Sequence, residues 1–185
     1  MPKQKITPQC PVFGQCGGCL YQDIPYEEEL RIKETNLKTL LQSRLNIADE
    51  LFEPITASPR DYHYRNRLDL KLVCTKEQGV LIGFSSEGRN NIIPIEACPI
   101  AQQEISAYLP KVKREAINRL TPKYKMANLV VKTGEDGRVA WGGIGRRSLQ
   151  MKEEDYLWTE IAGKKIFYSL DTFFQAIRSI LPLSM

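Results

Sequence analysis

The sequence predicts an α+β fold: a mainly antiparallel sheet with flanking helices, joined to a cysteine-bearing loop and helix at the N-terminal end. Three observations predict it. Leu68, Leu70 and Leu72 alternate with Asp69, Lys71 and Val73 at the strand period of two. Leu30, Leu37, Leu40, Leu41 and Leu45 recur at helical spacing on one face. Strand-like stretches follow one another through tight turns, without the regular βαβ alternation that a parallel sheet needs. The 185 residues, 42% hydrophobic and 26% charged, suffice for one good core or two small ones. No apolar run reaches the length of a membrane span. The formal net charge of +4 allows an RNA or phosphate partner without demanding one.

Each element has a local justification. Residues 1–24 read as a polar lead followed by the cysteine loop. Pro25 suits the opening of a helix, and Glu27, Glu28 and Glu29 favour its first turn through the helix dipole, so a helix is expected over 26–46. Pro54 and Pro59 mark a linker. A strand over Leu68–Val73, a turn at Gln78-Gly79, a second strand over Val80–Phe84 and a third over Ile92–Ile95 follow. Cys74 continues the Leu68/Leu70/Leu72 face and is expected in the core. After Pro99 a helical pattern runs through Ile105, Leu109, Val112 and Ala116, with Pro110 expected to kink or divide it. Leu129–Lys132, the Glu135-Asp136-Gly137 turn and Val139–Trp141 form another hairpin, Gly142–Arg147 a tight turn, and Lys165–Ser169 a last strand. The divisions expected are a cysteine loop (1–24), helix and linker (25–53), an α+β unit (54–170) and a short tail (171–185).

Cys10, Cys16 and Cys19 make a C-x5-C-x2-C run, and Cys98 stands far downstream before Pro99. Three clustered thiols and one distant thiol are what a four-coordinate inorganic site needs, the distant ligand arriving when the fold closes. Gly17 and Gly18 suit a loop wrapped closely round such a site. On spacing alone a disulfide, a structural zinc ion and an iron–sulfur cluster remain open. Tyr62-His63-Tyr64-Arg65-Asn66-Arg67 mixes aromatic and guanidinium groups, as readers of unpaired RNA do, or else makes a polar turn into the next strand. His63 reads as a surface or stacking residue.

The segment CPVFGQCGGCLYQDIPYEEELRIKETNLKTLL, with YRNRLDLKL, Cys98-Pro99-Ile100 and DTFFQ, resembles four blocks of the SAM-dependent RNA uracil-5 methyltransferases, in the branch that methylates 23S ribosomal RNA. Gln22, Tyr26, Leu30 and Lys33 fill family positions after the cysteines. The resemblance implies a 4Fe-4S cluster on Cys10, Cys16, Cys19 and Cys98. It implies RNA contact, with 23S rRNA, at Arg65, Arg67, Tyr64 and Asn66, and a contact to S-adenosyl-L-methionine at Gln175. A cytoplasmic monomer without a membrane partner is expected. After Gln175 the pattern breaks, Ile177 standing where the family has Asn. The family's Rossmann-like methyltransferase domain, with its nucleophilic cysteine and general base, is therefore expected to be absent, as in a truncated or frameshifted product that binds cluster and RNA without catalysis. The alternative expectation is a stand-alone RNA-binding module with a structural four-cysteine zinc site.

Overall fold

A computed structural model of the chain describes residues 4–88, 91–119, 126–144 and 156–177. The first helix, α1 (Tyr26–Leu45), follows Pro25, carries Glu27, Glu28 and Glu29 in its first turn, and ends on Asn46 in the left-handed conformation (φ 50°). Ion pairs run along its flank from Glu29 to Lys33 (2.5 Å) and from Glu34 to Lys38 (3.3 Å). Each such exposed pair contributes only a few tenths of a kcal/mol, roughly 0.2–0.5. The leucine face does not make a core: no α1 residue is buried, and Leu37, Leu40 and Leu45 are more than half exposed. The helical period was legible, but its packing partner was not. A single 3-10 turn, Asp49–Leu51, follows.

The sheet begins with β1 (Arg67–Thr75), β2 (Gly79–Ser85) and β3 (Ile92–Pro94). After the second helix, α2 (Gln103–Arg119), come β4 (Met126–Thr133) and β5 (Val139–Ile144). These five strands form one antiparallel sheet in the order β3-β2-β1-β4-β5. A separate hairpin joins β6 (Leu157–Ile161) to β7 (Lys164–Tyr168). Its turn uses Ala162 and Gly163, both at positive φ, a signal that the sequence reading passed over when it expected one strand there.

The core lies between the sheet and α2. Leu68, Leu70 and Leu72 of β1 and Leu129 and Val131 of β4 meet Ile105, Leu109, Val112 and Ala116 of α2. Burial of each larger aliphatic side chain is worth about 1.5–3 kcal/mol. That burial is consistent with Pro110 not dividing α2. The proline sits inside the helix and forfeits one backbone bond, while apolar residues on both sides of it stay fully buried. Trp141 Nε1 adds a tie by donating to Glu115 Oε2 (2.8 Å).

Two expectations fail at the ends of elements. Cys74 is exposed, because β1 runs on past Leu72 toward the turn at Gly79 (φ 69°) and beyond the cover of α2. The Gly142–Arg147 turn is not found at its start, since Gly142–Ile144 still belong to β5; residues 145–147 lie outside the described residues. Among the described residues, no helix is long and apolar enough to cross a membrane.

Candidate cysteine centre and nucleic-acid interface

The cysteine loop folds through short turns of its own. Phe13 N–H donates to Cys10 O (3.2 Å) and Cys16 N–H to Val12 O (2.9 Å), with Gly14 at φ 80°. The loop then docks on the end of β2. Gly17 N–H donates to Ser85 O (3.1 Å), and a Cβ on Gly17 would stand 3.3 Å from Ser86 O. Gly17 thus serves close approach, and the positive φ falls on Gly14 instead. Gln22 braces the run from behind: its Oε1 accepts from Cys10 N–H (3.2 Å) and its side chain hydrogen-bonds Cys19. Cys98 is anchored separately by Ser106, whose Oγ is 3.2 Å from both Cys98 N and Cys98 O.

These elements bring Cys10, Cys16, Cys19 and Cys98 to one small cavity of about 30 Å³, together with Gln22 and Arg65. All four are partly buried. Burial raises the Cys16, Cys19 and Cys98 thiols above their ordinary 9.0, and the neighbouring cysteines push the same way. Backbone contacts from Gly18 on Cys16 and from Ala101 on Cys98 oppose this, as do Gln22 and the Arg65 charge on Cys19. Among the described residues, no three His, Cys, Asp or Glu side chains stand close enough to clasp a single metal ion.

Arg65 is fixed at both backbone ends, its N–H donating to Ile100 O and its carbonyl accepting from Gln102 N–H (both 2.8 Å). Its Nε is buried and has no hydrogen-bond partner among the described residues. The donor set therefore fits an anionic thiolate-ligated group: four thiols, a bracing amide, and a buried cationic donor still unmatched.

The residues proposed for RNA separate. Arg67 is held by a two-pronged contact to Asp69 (Nε–Oδ2 2.9 Å, Nη2–Oδ1 2.6 Å). Asn66 is buried; its Nδ2 donates to Gln175 O (3.3 Å) and its N–H to Ala176 O (2.8 Å). His63, at φ 52°, places Nδ1 3.1 Å from Ala101 O, so it shapes the chain rather than presenting a free ring. Tyr64 lines a cleft of about 330 Å³ beside the cysteine loop with Tyr21, Tyr26, Tyr62, Lys33 and Arg60. Several of these were missed as a group, because two separated segments, 21–33 and 60–64, supply them and no spacing announces it. Gln175 is exposed, at the end of a segment fastened by Lys132, whose Nζ donates to Ser169 O (2.8 Å) and Thr172 O (2.7 Å). Phe174 of that segment stacks on Tyr168 at 4.4 Å.

Comparison with known proteins decides the lineage. No family model matches the chain. It is 32% identical over 167 residues to an uncharacterized RNA methyltransferase of Clostridium tetani, covering 85% of this chain and 36% of that protein. It is 31% identical over 133 residues to the 23S rRNA (uracil(1939)-C(5))-methyltransferase of Acinetobacter baylyi, covering 71% of this chain and 28% of that one. The chain belongs to the RNA uracil-C5 methyltransferase family. It spans roughly a third of the length of these relatives, 36% and 28%. Among solved structures, the tRNA (uracil-54, C5)-methyltransferase of Pyrococcus abyssi, in complex with S-adenosyl-L-homocysteine, superposes with a TM-score of 0.64 at 18% identity, over 95% of this chain and 50% of that one.

That superposition corrects the expected fold class. The sequence reading set the chain apart as an α+β assembly from which the methyltransferase domain is absent. Instead, 95% of the chain follows the fold of a methyltransferase, and the expected absence is withdrawn. The reason is physical. A glycine-rich cofactor loop and a nucleophile are local marks in a sequence, whereas a fold is specified by which faces bury which side chains. Those faces keep their architecture under wide substitution.

Proposed function

We propose that this chain serves the SAM-dependent methylation of uracil C5 in RNA, with 23S rRNA as the substrate, and that its four clustered cysteines hold a 4Fe-4S cluster. The observation that carries the reading is the arrival of Cys98 at the cavity lined by Cys10, Cys16 and Cys19, next to Arg65, whose buried Nε has no partner among the described residues. When bound, the cluster would cross-link residues 10–19 to the start of the α2 segment, tying together stretches that few hydrogen bonds now join. The relatives' names supply the RNA and the methyl transfer.

On this reading RNA contacts Tyr64 in the tyrosine-lined cleft and, separately, Arg67. The tyrosine-lined cleft offers stacking surfaces for unpaired bases, and Lys33 and Arg60 offer charge to phosphates. Arg67 would exchange Asp69 for a phosphate oxygen. Asn66 braces the segment that ends at Gln175, the residue proposed to touch S-adenosyl-L-methionine. The protein would act in the cytoplasm, where thiol ligands stay reduced.

Anaerobic purification tests the proposal. Iron and sulfide in equal amounts, with broad visible absorption, are expected from the wild type, and Cys98→Ser should lose most of both. Colourless protein carrying one zinc ion and no sulfide would overturn the cluster reading. Unchanged iron in Cys98→Ser would remove the fourth ligand.

A further inference from the structure

The buried Nε–H of Arg65 has no hydrogen-bond partner among the described residues. A buried donor without a partner costs about 1–3 kcal/mol, more when it is charged. Such a group persists when something outside the polypeptide matches it. Both backbone ends of Arg65 are clamped, to Ile100 and Gln102 on the chain leading from Cys98, so a backbone shift cannot carry the side chain elsewhere. The residue lines the cysteine cavity and its charge is felt at the Cys19 thiol. Arg67, two residues on, is satisfied by Asp69, so the two arginines of this segment are in different situations.

We infer that Arg65 is a positioning residue for the inorganic group, donating its buried Nε–H to a sulfur of the thiolate-ligated cluster and countering its negative charge, and is not a contact to RNA. The inference rests on the cluster reading above. Hydrogen bonds to sulfur and nearby charge set the reduction potential of such clusters. A cation and donor stabilise the more negative, reduced form, so their removal makes reduction harder.

The test uses the full chain, purified without oxygen, as wild type, Arg65→Met and Arg65→Lys. Iron and sulfide are assayed, and each protein is titrated with dithionite while its visible and electron paramagnetic resonance signals are followed. In Arg65→Met the reduction equilibrium constant should fall about tenfold, a midpoint about 59 mV lower for one electron. Arg65→Lys, which keeps the charge but loses the planar donor, should fall in between. An unchanged midpoint in a fully loaded Arg65→Met overturns the inference. Should Arg65→Met fail to fold, Arg65→Lys decides, an unchanged midpoint there being equally fatal. Loss of iron from a variant whose metal-free form melts like the wild type supports the inference, as a donor needed for retention. A wild-type protein without iron and sulfide fails differently, since it removes the cluster reading itself and this inference with it.

Discussion

Lys132 shows how much a single residue depends on chain far from it. It is 2% exposed on a central strand, and its ammonium reaches two carbonyls of the segment after β7. Burial, then the charge of Arg67, lowers it to about 8, with Asp69 and Asp171 opposing. The folded state thus disfavours the charged lysine, and this contribution to stability is present above its ordinary 10.5 and lost as pH falls through about 8. Near neutral pH the two carbonyls offset the burial of the charge. Lys132→Met should therefore leave both carbonyls unmatched and lower stability by about 1–3 kcal/mol. Hydrogen exchange should rise first at residues 169–172 in that variant. Protection equal to the wild type would show that the lysine fastens nothing. The four cysteines, by contrast, were legible as candidate ligands one by one, because thiols at such spacing are rarely mere packing. Lys132 was not, because a lysine in a strand carries no mark of what will fold over it.

Among the elements, β2 links the core to the cysteine loop. Its Gly83 faces Ile93 of β3 so closely that an added Cβ would lie 1.9 Å from Ile93 O. Two residues on, Ser85 O receives Gly17 N–H of the loop. Gly83→Ala should force β3 away, at a cost of about 1–3 kcal/mol as in other overpacked interiors. It should also loosen the loop, so that thermal melting and iron content fall together; a lower melting temperature with full iron would uncouple strand from loop. The strand periods around Leu68 and Leu129 could be read because alternation reports a half-buried surface directly. For α1 the period was equally clear, yet its leucines are exposed, since periodicity predicts a face and says nothing of what covers it. The division expected at Pro110 is absent for the opposite reason. A local penalty was visible, and the burial that outweighs it lies on other strands.

At the level of the whole molecule, the proposed cluster and the metal-free fold should respond to pH in opposite directions. Ligation needs thiolates, and burial holds Cys16, Cys19 and Cys98 in the protonated form. Loading should therefore weaken as pH falls, with protons released on assembly. The metal-free fold has the reverse dependence. Raised thiols stabilise it below the unfolded value of 9.0, and that contribution is lost as pH rises past it toward the raised folded values. Stripping the metal with a chelator should expose residues 4–24 to proteolysis while the five-stranded sheet stays protected, because the loop is tied to the sheet by few bonds and the sheet has its own core. Simultaneous loss of both would make the cluster a condition for the entire fold. By itself the sequence determined the kind of chemistry available: the thiols, the aromatic and arginine segment, and the periods of its helices and strands, all properties of residue type and local spacing. Only the tertiary structure decided which of these meet. It brought Cys98 to the loop, drew Asn66 to Gln175 and Ala176, turned the Nε of Arg65 inward while Arg67 stayed with Asp69, and gave the chain the fold of a methyltransferase. Those outcomes depend on which surfaces bury one another across long stretches of chain, and such burial leaves no local signature.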